Sequence, residues 1–394
     1  MIKVLLLDTG KEWGGGTNSL LELLKRIDRQ RFAVTACFYH DYGKGSDSSI
    51  SREMAALDIP FLRLPTLRQP LWAKLAKELA RGLLVWAPRL RRAAVFAVDR
   101  VWRIAPRARA IAKLLGDGGY DLIYLNNQPA SNLEGYLGGE LAGKPVVQHC
   151  RIDVALNAFE IATSNRIAAR IICVSNGLAQ SLRDQGVDAA RIVVVPNAID
   201  SAQAAPQAVR LEGIPTGAIV IGTVGSLIKR KSIDHLIRAL AVRQEQLHLL
   251  VLGEGPEEVA LRRLASALDI AERVHFAGFQ ERPLPWLAAM DIFVLASAKE
   301  GLPRVVLEAM LLGKPVIASR VIGPAELVVP GETGFLYEYG DVQALASHIG
   351  ELAASPSVRA RFGSAGQQRV VEHYSIERYV SGVEDVLAAA GSAP

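Results

Sequence analysis

The stretch DIFVLASAKEGLPRVVLEAMLLGKPVIAS, residues 291–319, reads as one strand–helix–strand unit. An apolar β-branched run at 292–295 leads into a loop carrying Glu300. Helical spacing begins near Pro303, where proline suits a first turn, and Gly313 closes the helix before a second apolar run at 315–318. Neither run alternates polar with apolar residues. Strands of that kind are buried on both faces, as in a parallel sheet covered by helices.

Working outward, the same pattern recurs. Strands are expected at 2–7, 33–38, 121–125, 146–149, 171–174 and 192–195, and a second series at 219–224, 248–252, 274–277, 292–295 and 315–318. The expected fold class is therefore α/β, with two doubly wound Rossmann-like domains whose parallel sheets face a cleft. A length of 394 residues suits two domains. The break is expected in SAQAAPQAVRLEGIPTG, residues 201–217, which gives domains over 1–203 and 204–374. Residues 375–394 are expected to form a helix packing back toward the N-terminal domain. Ile376, Tyr379, Val380, Val383, Val386 and Leu387 make its apolar stripe.

Half the residues are apolar and 22% are charged, which suits globular cores and excludes a fibrous or disordered chain. Cys37, Cys150 and Cys173 are too far apart for a zinc or redox motif and read as buried thiols of a reducing compartment. The first apolar run is too short for a signal peptide. The longest apolar candidate, near 83–97, is interrupted by Pro88, Arg89, Arg91 and Arg92. The expectation is a soluble or peripheral protein, cytoplasmic or on the inner face of the membrane.

In the 291–319 unit, the first backbone N–H groups of the helix form an anion site suited to a diphosphate. Glu308, further along, offers two acceptor oxygens to sugar hydroxyls. As isolated residues, Glu300 reads as a loop charge and Glu308 as a solvated helical acid; their combination with further motifs changes that reading. Further motifs follow a fixed order: VS (174–175), VPNAID (195–200), GTVGSL (222–227) with Lys231, LGEGP (252–256), VHFAG (274–278) and GETGF (331–335).

Together with the E-G-x₆-E-A-M spacing, this set resembles the retaining GT-B glycosyltransferases of family 4, the glycosyl transferases group 1. The resemblance is dense from about 175 to 374 and weak before that. It implies a retaining, metal-independent hexosyltransferase-type enzyme with no cofactor, moving sugar from a UDP- or GDP-sugar to a glycan or lipid-linked acceptor. Such an activity serves cell-surface polysaccharide or glycolipid synthesis. The donor binds the C-terminal domain, the acceptor the N-terminal domain, and closure excludes water.

Residue by residue, the resemblance places Lys231 on the donor diphosphate, with Ser226, Lys229, Arg230 and Gly253 around it. Backbone groups between Val274, Phe276 and Gly278 hold the base, and Glu308 holds the ribose. Glu300 lies against the transferred sugar, and the loop Gly301–Leu302 with the amides of Arg304 and Val305 cradles sugar and phosphate. Two positions depart from the pattern. Ser226 stands where the family has arginine, and Ser232 where it has glycine. Serine cannot make bidentate phosphate contacts, so Lys229 or Arg230 is expected to supply the charge.

In the first half, Gly15 and Gly16 follow the first strand. The loop lacks the last glycine of a dinucleotide fingerprint, because Ser19 stands there. The resemblance brings this loop near donor phosphate and acceptor, against the alternative of a plain turn. His149 ends an expected strand and is the candidate catalytic residue beside Glu300 and Lys231, with Arg151 as the other polar candidate. Residues 68–113 hold twelve Lys and Arg against Glu78 and Asp99, with Trp72, Trp86 and Trp102 among them. This helical insert, about 68–115, is expected to contact an anionic membrane; no nucleic-acid motif accompanies it. A sugar-nucleotide epimerase on the same fold, or a non-catalytic binding module, remain the alternatives.

Overall fold

A computed structural model describes residues 1–10, 13–44, 48–202, 206–243 and 246–392. The chain divides into two compact units. The first comprises Met1–Cys173, Ala179–Val193 and Gly382–Pro394, and the second Val174–Leu178 and Val194–Ser381. The chain thus touches the second unit first at Val174–Leu178 and passes into it again at Val194, ahead of the expected linker. The expected boundary at 203/204 itself lies outside the described residues.

The first unit is built on a seven-stranded sheet: β1 (Ile2–Asp8), β2 (Phe32–Phe38), β3 (Phe61–Arg63), β4 (Leu122–Asn126), β5 (Val146–Cys150), β6 (Ala168–Cys173) and β7 (Ile192–Val194). Their order is β3-β2-β1-β4-β5-β6-β7. The second unit holds a six-stranded sheet: β8 (Ile219–Val224), β9 (Leu247–Leu252), β10 (Val274–Gly278), β11 (Ile292–Leu295), β12 (Val316–Ser319) and β13 (Gly334–Tyr337). Here the order is β10-β9-β8-β11-β12-β13, and every pairing with a stated register is parallel.

In each sheet the chain starts at the middle, runs to one edge and returns to the other side. The reversal falls between β1 and β4 in the first unit and between β8 and β11 in the second. Loops leaving adjacent strands at such a point diverge to opposite faces and open a crevice at the carboxyl ends of the strands. The strands are dry: Leu5, Leu6 and Leu7 in β1, and Phe293 and Val294 in β11, are fully buried.

Helices relevant to the sites are α1 (Gly15–Arg26), α2 (Leu71–Leu83), α3 (Pro88–Asp99), α4 (Ala105–Asp117), α5 (Ile233–Ala241), α6 (Arg304–Leu311) and α7 (Ile376–Gly391). All six residues of the apolar stripe expected in the last of these are buried. Within the first unit, α7 approaches Ile2 and Leu122 so closely at Gly391 that a Cβ there would stand 2.8 Å from Ile2. In the same unit Glu384 accepts from the backbone N–H of Asp28 at 2.7 Å.

Candidate functional site

The second unit gathers its chemistry at the carboxyl ends of β8, β9, β10 and β11. The loops after β8 and β9 are locked together: Gly225 N–H donates to Leu252 O (2.9 Å), Leu227 N–H to Glu254 O (2.8 Å) and Glu257 N–H to Leu227 O (3.0 Å). Glycine is what permits this. A Cβ on Gly253 would lie 2.0 Å from Gly225 O, and one on Gly255 would lie 2.4 Å from Leu227 O. Gly253 also has φ +132°, a conformation costly for residues with a Cβ. The LGEGP motif is therefore a close approach of two backbones that fixes the loop bearing Lys231. Gly255→Ala should cost about 1–3 kcal/mol through overpacking. Thermal unfolding together with nucleotide titration checks this; an unchanged melting temperature would refute it.

Lys229, Arg230 and Lys231 form a single 3₁₀ turn between β8 and α5. From that turn, Lys231 Nζ donates to Glu300 Oε1 at 2.7 Å, and Arg230 Nη1 lies 3.4 Å from the same oxygen. Arg230 is itself fixed through Lys299 O (2.7 Å). A Cβ on Gly225 would stand 3.3 Å from Lys231 Cε, so a glycine there leaves the lysine stem its path. Glu300 is only 8% exposed. Burial alone raises its carboxyl pKa, but the charges of Lys231 and then Arg230 outweigh that and hold it below the usual carboxylate range. The result is an ionised buried acid against two cations at the switch point of the sheet. Ser226, where the family has arginine, sits in the same loop, and its carbonyl accepts from Ile228 N–H (2.9 Å). Arg230 thus brings a guanidinium to the cluster.

Beyond Glu300, Gly301 and Leu302 turn the chain into α6, capped by Pro303 with no side-chain bond at the cap. The first amides of this helix, including Arg304 and Val305, have no intrahelical acceptor and carry the positive end of its dipole. Two contacts hold the loop. Asn197 Nδ2 donates to Leu302 O at 2.8 Å, and Gly323 (φ +89°) backs it so closely that a Cβ would lie 2.2 Å from Gly301 O. Asn197, in the VPNAID segment, thereby becomes a positioning residue that sequence reading left without a role. The Arg304 side chain bonds Ala198 O (2.7 Å), and its Nη2 lies 3.8 Å from Glu308 Oε1. Glu308 keeps part of its side chain exposed.

The side chains of Val274 and Phe276 are turned to the core, so this strand offers a base its backbone groups alone. Val274 starts β10 and is buried in the core; Gly278 lies four residues on, about 13 Å at strand spacing. Phe276 packs on the core with the Arg262 guanidinium 4.4 Å from its ring centre. Gly278, at φ +69°, is the member of the segment at the crevice, and its carbonyl accepts from Gly253 N–H (2.8 Å).

In the first unit the switch point carries Asp8 at the end of β1. Its oxygens accept from Gly10 N–H (2.6 Å), Asn126 Nδ2 (2.6 Å) and Asn127 Nδ2 (2.9 Å). Arg151 Nε donates to Asn126 Oδ1 at 2.9 Å. Gly15 and Gly16 open α1, and a Cβ on Gly16 would lie 3.7 Å from Arg151 Cγ, so the glycine loop and Arg151 share this edge. His149 is placed differently from expectation. β5 continues one residue past it, to Cys150, and its side chain is fully buried, with Nδ1 2.5 Å from Tyr124 Oη. Burial first, and the charge of Arg151 second, push its pKa well below the ordinary value, so it is neutral.

Two family models match successive parts of the chain: Glycosyltransferase Family 4 over residues 13–203 and Glycosyl transferases group 1 over residues 206–369. The chain belongs to this glycosyltransferase family. The family 4 chain is 33% identical over 220 residues to the lipopolysaccharide core biosynthesis glycosyltransferase LpsE of Rhizobium meliloti, covering 56% of this chain and 64% of that protein. It is 35% identical over 167 residues to a GDP-mannose-dependent phosphatidylinositol monomannoside mannosyltransferase of Mycolicibacterium smegmatis, covering 39% of this chain and 44% of that one. These matches span less than two thirds of the first relative's length and less than half of the second's. The crystal structure of Anabaena HepE in complex with UDP-glucose superposes with a TM-score of 0.77 at 23% identity, covering 99% of this chain and all of that one. The likeness establishes the GT-B fold for this glycosyltransferase.

Proposed function

We propose that the chain transfers a hexose-type sugar from a UDP- or GDP-sugar to a glycan or lipid-linked acceptor, with retention at the anomeric carbon and without a metal. Building cell-surface polysaccharide or glycolipid is the process it would serve. The observation carrying this is the Lys231–Arg230–Glu300 cluster beside the N-terminus of α6 at the switch point of the second unit. Cleavage of the anomeric C–O bond leaves charge on a nucleoside diphosphate. Lys231 has three N–H donors, of which Glu300 takes one, and with Arg230 and the α6 amides it meets that charge where a metal otherwise would. Glu300, held ionised, accepts from hydroxyls of the transferred sugar, and Glu308 accepts from the ribose. The acceptor belongs to the first unit, near Arg151 and the α1 glycines. Three free, buried cysteines support a cytoplasmic setting.

The test is calorimetric titration with UDP and GDP, followed by donor consumption with and without candidate acceptors, in the presence of a chelator. Acceptor-dependent consumption that survives chelation is expected. Isomerisation without acceptor would favour the epimerase. Tight nucleotide binding with no consumption would leave a binding module.

A further inference from the structure

The insert in the first unit is a helical hairpin with an uncovered apolar side. Leu71, Leu75, Leu79 and Leu83 recur every fourth residue on α2, and each is more than half exposed. Side chains so spaced advance by about 40° per step, so the row covers about 120° of the helix surface. Trp72 lies within that arc. At the tip, Trp86 (76% exposed) and Leu90 extend the row across the turn into α3. The opposite side of α2 faces inward through Ala73, which is fully buried. An exposed leucine row of this length is not the normal surface of a soluble domain.

The charges around it sort into two sets. Some serve the interior: Lys77 pairs with Asp99 and covers the Trp102 ring (5.3 Å), and Arg103 and Arg107 reach Glu134 at 3.0 and 3.5 Å. Trp102 Nε1 donates to Asp99 at 2.7 Å. That set, with Trp102, is removed from any docking surface. The other set faces outward: Arg68, Lys74, Arg89 and Arg92 are exposed and, among the described residues, carry no ion pair. No helix among the described residues is long and apolar enough to cross a membrane.

From this arrangement we infer that α2, the turn at Trp86 and the start of α3 dock flat on a bilayer rich in anionic headgroups. The leucines and Trp86 enter the acyl boundary, and the four outward cations meet the phosphates. An apolar arc bordered by unpaired cations fits a lipid interface, where both halves of the surface find partners at once. A protein partner or a second copy of the chain would satisfy the leucines but not four outward cations without acidic groups of its own. The inference stands whether or not the proposed transfer reaction is correct.

Sedimentation of the full chain with phosphatidylglycerol-rich and with pure phosphatidylcholine vesicles, across a salt series, tests it. Wild type is expected to bind the anionic vesicles at least about tenfold more strongly than the neutral ones, with a residue of binding that survives high salt. Leu79→Ser with Leu83→Ser and Trp86→Ser should abolish the salt-resistant part. Arg89→Glu with Arg92→Glu should abolish the anionic preference. All five positions are exposed, so circular dichroism melts should match wild type. Wild type remaining in the supernatant with anionic vesicles overturns the proposal. So does full binding by the serine variant, or a wild-type dimer that the serine variant breaks.

Discussion

Glu300→Gln should lower turnover by about 10²–10³ while leaving UDP or GDP affinity equal to or tighter than wild type, whichever nucleotide binds. The asymmetry follows from the cluster. Glu300 neutralises Lys231 at 2.7 Å and Arg230 at 3.4 Å. An amide of the same shape removes that negative charge and leaves two cations facing an incoming diphosphate. Lys231→Ala should act the other way and weaken nucleotide binding by at least tenfold, the value of one charge-assisted hydrogen bond of about 1.5–3 kcal/mol. The pH dependence carries a second signature. Because the folded pKa of Glu300 lies below its ordinary 4.5, its stabilisation is present above that value and is lost as pH falls through the depressed one. Denaturant unfolding from neutral pH down to about 3 should show this loss in wild type and its absence in Glu300→Gln. Equal loss of affinity in both variants would mean that the two residues do not form the opposed pair described here.

How much of this was legible in the sequence depended on how local the cause was. The strand–helix–strand at 291–319 and the turn bearing Lys231 announce themselves because continuous apolar runs and a proline-started helix are consecutive in the chain. β3 (FLR) and β13 (GFLY) escaped notice because, unlike the equally short β7, β11 and β12, neither holds a β-branched residue, and prolines or glycines lie close beside both. GETGF accordingly stood as a motif without a strand, although Gly334 already begins one. Asn197 could not be assigned, because its partner Leu302 lies 105 residues away. Glycines 253 and 255 were visible as a motif, but their reason, a backbone pressed against backbone, exists only in three dimensions. The basic insert misled in detail for the same reason. Its charge count is a sequence property, but which cations face inward is decided by Glu134 and Asp99.

The largest departure concerns His149, and it makes the second strong expectation. A neutral imidazole, fully buried against Tyr124, is in place to hold β4 and β5 in register and to fix the strand end from which Arg151 projects. The expectation on that basis is that His149 acts as a positioning residue and that Arg151 is the group serving the acceptor side of the proposed reaction. His149→Asn should cost about 1–3 kcal/mol of stability, since a buried hydroxyl loses a well-placed partner. Arg151→Ala should instead lower turnover at least tenfold with a smaller change in melting temperature. The pH test is independent of activity. A histidine whose folded pKa is depressed contributes stability above the ordinary 6.5, and this is lost as pH falls below it, by about 1.4 kcal/mol per unit. His248, His275 and His348 are lowered too, so the informative quantity is the slope of wild type minus that of His149→Asn. A slope that does not differ below 6.5, or a His149→Asn protein that melts like wild type yet turns over orders of magnitude more slowly, would return His149 to the chemistry and make Arg151 the scaffold.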